Sequence, residues 1–488
     1  MLYKMFCICG KAEFRYLLRL KINRYGQVKL VWILKVKNRI GKERMRKETM
    51  MKEYDLIVAG GGPAGIGAAV SAARNGIKVL LIEQAGYLGG MATNACVPAF
   101  CPYTDGERVI IGGIGLEVLN RMKKESYISP FYDKKPGRLK EFDWVPIDPE
   151  VLKRITEQIA LSSNCNLLFH TVITGINHTG GRIHSVEVHN KGGNFTIGAK
   201  YFIDCTGDAD LVAMAGGSCE YGDENGLVQA GTLCFRIGNL DIGKFMEYAE
   251  KTGEDGNLNI AVSKAKEQGD FPADERYVSG IALQADGMAG LNFGHVYHLN
   301  PLDGNDLTRA EIEARQKLPE FMNFLRKYVP GAENAVLASS GPVIGLRESR
   351  RIVGDYRLTK EDYYKRADFE DTIARYSYPI DIHAATPGEE DYGEDREYVT
   401  SRYKTGEAYS IPYRSLLPAG FENLIVAGRT ISSDRAMMAS LRVMPACFAT
   451  GEAAGAAAAL CSKDGVDFRQ LQIHKLQEVL REQGAVLT

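Results

Sequence analysis

Between Tyr54 and Glu83 the chain carries one unit that few folds can use. The apolar run Tyr54-Asp55-Leu56-Ile57-Val58-Ala59 leads into Gly60-x-Gly62-x-x-Gly65, then small residues to Arg74, then a second apolar run Val79-Leu80-Leu81-Ile82 that ends in Glu83. Apolar runs of strand length bounded by glycines read as buried strands, and the small-residue stretch from about Pro63 reads as a helix stopped by Gly76. A strand, helix, strand order implies a right-handed crossover between parallel strands, so the fold class is α/β. Each glycine has a physical role. Gly60 allows the tight turn, Gly62 lets backbone approach a pyrophosphate, and Gly65 lets the helix pack closely on the strand. Pro63 and Ala64 open the helix, whose N-terminal N–H groups and positive dipole end suit an anion. Glu83 at the end of the second strand can accept hydrogen bonds from ribose hydroxyls.

The residues after Glu83 narrow the ligand. The run Glu83-Gln84-Ala85-Gly86-Tyr87-Leu88-Gly89-Gly90-Met91-Ala92-Thr93 places a second Gly-Gly near the pyrophosphate, and here the chain resembles FAD-containing proteins of the glutathione-reductase-like superfamily. Further on, Ile203-Asp204-Cys205-Thr206-Gly207-Asp208 resembles that family's strand-end Thr-Gly element. Asn423 to Arg429, including Gly428, and Ser440-Leu441-Arg442-Val443-Met444-Pro445 leading to Gly451-Glu452-Ala453-Ala454-Gly455 resemble its closing flavin segment. Together these are similar to the broad FAD-dependent oxidoreductase family of bacteria, over about residues 54–465. The resemblance implies a Rossmann-type FAD-binding domain and a non-covalent FAD held by the residues of these segments. It implies that Val172 contacts the adenine through its backbone, and that a helix starting near Pro445 points its N-terminus at the flavin. A reduced flavin becomes anionic, which a helix dipole and a cation stabilise, and Arg442 is the expected cation. No metal site is expected.

Two better-known branches fit less well. Where the succinate dehydrogenase branch has an attachment histidine soon after the second Gly-Gly, this chain has Met91-Ala92-Thr93-Asn94. Cys96 and Cys101 have the gap of a disulfide-reductase redox pair but stand in the wrong place relative to Gly89-Gly90, and no second GxGxxG is present downstream for NADPH. They read as ordinary thiols near the cofactor, with redox activity as the alternative.

Asp148-Pro149 reads as an N-cap followed by proline at the first helical position, opening a helix to about Leu161. Leu167–Ile173, Ile183–His189, Phe195–Ile197 and Lys200–Asp204 read as a small meander that returns to the sheet, and Asn423–Gly428 as a last buried strand before a helix from about Pro445 to Leu460. The FAD-binding domain is therefore expected to be discontinuous, from residues 53–215 and 405–475, around an α+β substrate or cap region at 216–404, with 476–488 a tail.

Substrate-side candidates come from three segments. Arg347-Glu348-Ser349-Arg350-Arg351, Asp381-Ile382-His383 and Tyr409-x-Ile411-Pro412-Tyr413-Arg414 each resemble recurrent family stretches. Flavin dehydrogenation needs a base, and the reverse reaction an acid, so His383 suits either role near neutral pH. Arg347 or Arg414 could grip an anionic substrate group. The blander expectations are a salt-bridged surface or interface run at 347–351 and a structural His–Asp pair at 383. His295 and His298 lie in a less patterned segment.

Charge bounds the partners. The net charge of −1 hides about +12 on residues 1–52, where fifteen Lys and Arg face three acids, and about −13 on the remainder. An acidic body argues against a nucleic-acid enzyme such as a flavin-dependent tRNA-modifying protein. The expected partners are a small-molecule substrate and an unidentified electron acceptor or donor, with a flavin subunit of a partner-dependent complex as another possibility. The ten cysteines show no metal spacing and fit a reducing interior, no apolar run reaches a membrane span, and the expected compartment is cytoplasmic. The basic first fifty residues lack serine and any continuous apolar export segment. They are expected to lie outside the fold, with the natural start at Met45, Met50 or Met51.

Overall fold

The structure, a computed structural model, describes residues 6–9, 12–22, 28–35, 54–126, 139–254, 256–272, 274–275, 277–388 and 402–488. It divides into two compact units, Met1–Lys52 and Glu53–Thr488. In the first, β1 (Phe6–Cys9), β2 (Ala12–Ile22) and β3 (Val28–Lys35) form an antiparallel sheet. The apolar piece Val31–Leu34 is thus part of a strand, and the three possible start methionines lie outside the described residues.

The second unit begins as its sequence dictates. β4 (Tyr54–Ala59) is followed by α1 (Pro63–Arg74) and β5 (Val79–Ile82), and then by α2 (Met91–Asn94) and α3 (Gly113–Lys123). α4 (Pro149–Ser162) starts where expected because the Asp148 side chain accepts from the Glu150 and Val151 amides. β6 (Asn166–Leu168), β7 (Val172–Thr179), β8 (Arg182–Asn190) and β9 (Gly193–Asp204) complete the first part. The run Leu167–Ile173 is broken into two strands where His170 takes φ 52°, while Phe195–Ile197 and Lys200–Asp204 merge into the one long β9.

From there the chain builds a second hydrophobic core spanning Leu233 to Ile344. Its four-stranded antiparallel sheet consists of β10 (Phe235–Gly238), β11 (Ile281–Ala285), β12 (Met288–Leu291) and β13 (Val336–Ser340), in the order β11-β12-β10-β13. α5 (Gly304–Tyr328) adds Phe321 and Phe324, which pack edge-on against Phe293. Residues from Ile352 onward, including Tyr363, Ile373 and Tyr376, belong instead to the first core. The segment 216–404 therefore divides between the two cores, because its last third packs on the chain's closing elements. These are β14 (Leu424–Val426), α6 (Arg435–Leu441) and α7 (Met444–Asp464).

Five strands run parallel in the order β6-β5-β4-β9-β14, and the first half of β9 turns away to pair antiparallel with β8, which pairs with β7. Register fixes the site. Ala59 is paired with Ile82 on one side and Asp204 on the other, and Asp204 is paired with Val426. The segments that begin just past these residues, at Gly60, Glu83, Cys205 and Ala427, emerge together at the carboxyl edge of the sheet, where open α/β sheets bind ligands.

α7 lies directly on α1. A Cβ on Gly451 would fall 2.0 Å from the Ala64 carbonyl oxygen, and one on Gly455 2.1 Å from that of Ala68. Among the described residues no single helix is long and apolar enough to cross a membrane. α7 also buries Glu452, whose Oε2 accepts from the Ile114 amide at 2.9 Å while Oε1 has no hydrogen-bond partner. Burial raises its carboxyl from 4.5 to about 7, only partly offset by the Ile114 hydrogen bond. The unfolded chain sheds this proton near 4.5 and the folded one near 7, so stability falls as pH rises between those values and is level above. Glu452→Gln is expected to stabilise by about 3 kcal/mol at pH 8 and by nothing at pH 4, since each pKa unit is about 1.4 kcal/mol. Urea unfolding of both proteins at the two pH values checks this.

Candidate active site

The sheet edge assembles the expected nucleotide segments. Gly60, at φ +95°, lies so near the β9 end that a Cβ would meet the Cys205 carbonyl oxygen at 2.4 Å. A Cβ on Gly65 would strike the Gly60 carbonyl oxygen at 1.8 Å. Gly62 is different, because a Cβ there would meet only Gly90 Cα at 3.6 Å. Protein packing does not demand its missing side chain, which leaves a cradle beside the N-terminus of α1. That helix has no side-chain cap and opens with Pro63 and Ala64. Gly89 and Gly90 both have positive φ, and the Gly89 amide donates to the Gly61 carbonyl at 2.9 Å, so the second Gly-Gly folds onto the first loop. Met91, Ala92 and Thr93 come next in the short α2, with the Thr93 hydroxyl donating to the Leu88 carbonyl at 2.9 Å.

Glu83 accepts from the amides of Gly61 at 2.6 Å and Ala85 at 2.7 Å. Burial pushes its carboxyl up, and those amides hold it down in part. It braces the glycine loop with two of about four acceptor directions, leaving others for a ribose. Gln84 is exposed. The Thr171 amide bonds the Glu83 carbonyl at 3.1 Å, which sets Val172, half exposed at the start of β7, beside the same corner.

On the opposite side of the glycine loop, Thr206, Gly207 and Asp208 are locked from two directions. Arg429 donates to the Gly207 carbonyl at 2.6 Å, the Leu346 carbonyl at 2.9 Å and Asp208 at 3.0 Å, and Ser349 donates to Asp208 at 2.6 Å. Buried Asp204 accepts from Thr206 and from the Leu211 and Val212 amides, and burial raises it to about 6. Gly428 has φ +93°, and its amide donates to the Thr450 hydroxyl at 3.1 Å.

Arg442 ends α6 immediately before α7. Its Nη2 donates to the Asp381 carbonyl at 2.8 Å and carboxylate at 3.2 Å, while its Nε is buried with no hydrogen-bond partner. Arg442 thus stands at the N-terminus of α7, paired with Asp381. That uncapped N-terminus, the orphaned Nε of Arg442 and the open cradle at Gly62 are the features a flavin dinucleotide fits.

Asp381 also lines a cavity of about 590 Å³ with His383, Tyr277, Tyr378, Trp144 and Cys101. His383 is buried, with Nε2 3.6 Å from Asp381 and Nδ1 3.0 Å from the Tyr277 hydroxyl. Burial first, and then the Arg347 charge, lower its pKa to about 4. Its ring is thus neutral near pH 7, the form that accepts a proton. Burial opposes ionisation of Asp381, but His383, Arg442 and Arg347 outweigh it and hold the carboxyl well below the usual range.

The 347–351 run is a core feature and not a surface one. Arg347, Glu348, Ser349 and Arg351 are buried, because Glu348 takes hydrogen bonds from the Gln229 amide and from Arg435, and Arg351 reaches the Gly222 carbonyl. Arg347 spends Nη1 on the Ala230 carbonyl and the Thr232 hydroxyl, both at 2.7 Å, and has no other hydrogen bond among the described residues. Arg414 is not brought in, since it is half exposed and paired bidentately with Asp371. His298 is exposed at φ 52°. Burial raises the thiols of both Cys96 and Cys101, the reverse of what a redox nucleophile needs. Sequence reasoning passed over Glu275 and Tyr277 and ranked His295 below His383; Tyr277 lines the cavity beside His383, and Glu275 and His295 lie behind it. Only the clustering of ionisable types within twenty-one residues hinted at them.

Short stretches of the chain are similar to curated relatives. It is 48% identical over 48 residues to a mitochondrial dihydrolipoyl dehydrogenase of Schizosaccharomyces pombe, which is 10% of this chain and 9% of that protein. A 39% identity over 72 residues to pseudooxynicotine dehydrogenase of Pseudomonas sp covers 15% and 13%. Such stretches span about a tenth of the relatives' length. Among solved structures it is similar to a geranylgeranyl bacteriochlorophyll reductase-like protein of Thermoplasma acidophilum (14% identity, 89% of this chain and 85% of that one, TM-score 0.44). Another is p-nitrophenol 4-monooxygenase of Pseudomonas putida (12%, 89% and 85%, 0.48). The family described as FAD dependent oxidoreductase matches residues 55–480, from the first parallel strand past the end of α7, and the chain belongs to it.

Proposed function

We propose that this FAD-dependent oxidoreductase oxidises a small organic molecule in the 590 Å³ cavity, with His383 as the base that takes the substrate proton. Non-covalently bound FAD supplies the acceptor for the hydride. The observation that carries the reading is His383 itself. It is a neutral imidazole on the cavity wall, held by Tyr277 and facing Asp381, which Arg442 ties to the N-terminus of α7. A ring unprotonated at neutral pH accepts a proton, and substrate oxidation releases one. Arg347 stands close enough to disfavour charge on His383, and its bond to Ala230 and Thr232 keeps it there. Electrons then pass from the reduced flavin to a separate acceptor.

Anaerobic mixing of the FAD-loaded protein with metabolite pools tests this through bleaching of the flavin absorbance. A small molecule should bleach it without any partner protein. His383→Asn is expected to keep its flavin and bleach about 10²- to 10⁴-fold more slowly, the range removed with a general base. Bleaching at the wild-type rate would assign the proton to another group.

A further inference from the structure

Behind the cavity wall His383 continues into a buried line of proton-carrying groups. Its Nδ1, 3.0 Å from the Tyr277 hydroxyl, is also 3.4 Å from Nε2 of His295, and the two rings are 5.5 Å apart centre to centre. The far nitrogen of His295, Nδ1, is 2.9 Å from Glu275 Oε2. The other Glu275 oxygen accepts the backbone N–H of His295. The Glu275 side chain has no exposure, and neither Glu275 nor His295 lines the cavity. Two carboxylate oxygens on one histidine fix that ring, and they fix Nδ1 as the nitrogen that carries hydrogen, so that Nε2 is free to receive a proton.

We propose that Glu275 and His295 form a proton relay behind His383, so that the proton leaving the substrate comes to be stored as a charge on His295 beside the buried Glu275 carboxylate. The inference rests on the reading of His383 as the base. In the relay His383 starts with its hydrogen on Nδ1, between the Tyr277 hydroxyl and His295 Nε2, and with Nε2 unprotonated; the substrate O–H or N–H bond breaks and its proton bonds to His383 Nε2. The Nδ1–H bond of His383 breaks in turn, and that proton bonds to His295 Nε2. No electrons are exchanged between the rings. His383 ends neutral, now with hydrogen on the nitrogen that faces Asp381, and His295 ends as an imidazolium whose Nδ1–H donates to Glu275.

The surrounding charges favour this displacement. Arg347 and Arg442 face the His383 side, where Asp381 opposes them among the described residues. One ring inward, the full charge of Glu275 lies in hydrogen-bond contact, in a site where low polarity strengthens the attraction. Lys317 donates to the His295 carbonyl at 2.8 Å, but it is itself paired with Asp274 and Glu313. Tyr297 stacks on the His295 ring at 5.9 Å and adds no charge. Glu275 and His295 are thus positioning residues that set how strong a base His383 can be.

The test uses the full FAD-loaded chain, the bleaching substrate, and ¹⁵N-labelled histidine spectra recorded without substrate. Glu275→Gln should lower the plateau bleaching rate about 10²-fold, the scale of general base catalysis, with KM within about threefold. The acid limb of its pH profile should move down by at least one pH unit, because a weaker proton store gives a weaker base. Glu275→Asp, which keeps the charge, should restore the limb. In the wild-type spectra the first ring of the pair to gain a second proton should be His295, assigned against His383→Asn. An unchanged acid limb in a folded Glu275→Gln, or a first proton on His383, overturns the relay. If His383→Asn bleaches slowly while Glu275→Gln is normal, the relay alone falls. If His383→Asn bleaches normally, the assignment of the base falls with it.

Discussion

Gly451→Val is expected to remove the folded protein from the soluble fraction, a loss above about 4 kcal/mol. Even a Cβ at this position would lie 2.0 Å from the Ala64 carbonyl oxygen, with Ala64 C and Cα at 2.7 and 2.8 Å. Those atoms are helix backbone in the first turn of α1, so no rotamer change relieves the clash. Either α1 and α7 separate, exposing the small apolar residues between them, or one helix unwinds. A separation would spread, since Gly455 meets the Ala68 carbonyl one turn further along and Gly67 meets the Phe448 carbonyl from the other helix. Close-packed interiors do not absorb such volume locally. Gly304→Ala is the control, because a Cβ there has nothing within 4 Å, and it should shift stability by no more than about 1 kcal/mol. Thermal unfolding and soluble yield of the two variants check the contrast, and a Gly451→Val protein that melts with the wild type would contradict the helix packing described.

Gly62→Ala should do the opposite, leaving the fold intact while FAD binding weakens about 10²-fold, or about 3 kcal/mol. Gly62 has φ −72° and ψ −174°, a conformation any residue adopts, and its added Cβ meets only Gly90 Cα at 3.6 Å. The cofactor-free variant should therefore unfold within about 1 kcal/mol of the wild type, the scale of a changed helix cap. The methyl would instead occupy the cradle at the α1 N-terminus, where backbone must approach the pyrophosphate. Flavin content after purification and calorimetric titration with FAD measure the loss. Equal flavin content in the two proteins would mean that the dinucleotide does not approach Gly62. The two glycine variants together separate packing from ligand contact within the same pair of helices.

Much of this was legible along the chain because the signals are local. The crossover from Tyr54 to Glu83, the Asp148 cap of α4 and the return at β14 each rest on residues within a few positions of one another, and the helix and strand limits agree with expectation to within a few residues. Arg442 could be placed because it immediately precedes a recognisable helix. The charged run 347–351 misled, since five polar residues in succession read as surface. What buries them is a set of partners up to 129 positions away, Gln229, Arg435 and Gly222, which no spacing encodes. The grouping of Glu275 and His295 with His383 was hidden for the same reason. Their meeting with His383 spans 88 positions and depends on the second core closing against the first.

The long β9 strand has a consequence for how this chain is made. It pairs with β4 on one edge and β14 on the other, so adjacent strands of a single sheet come from residues near 57, 202 and 425. Contacts of such high sequence separation form slowly, because hundreds of intervening residues must first be ordered or looped out. During synthesis β9 emerges with an unpaired edge and α1 with its glycine face uncovered, the first until β14 and the second until α7 has left the ribosome. For that interval the nascent chain carries the kind of exposed strand and apolar helix face on which aggregation begins.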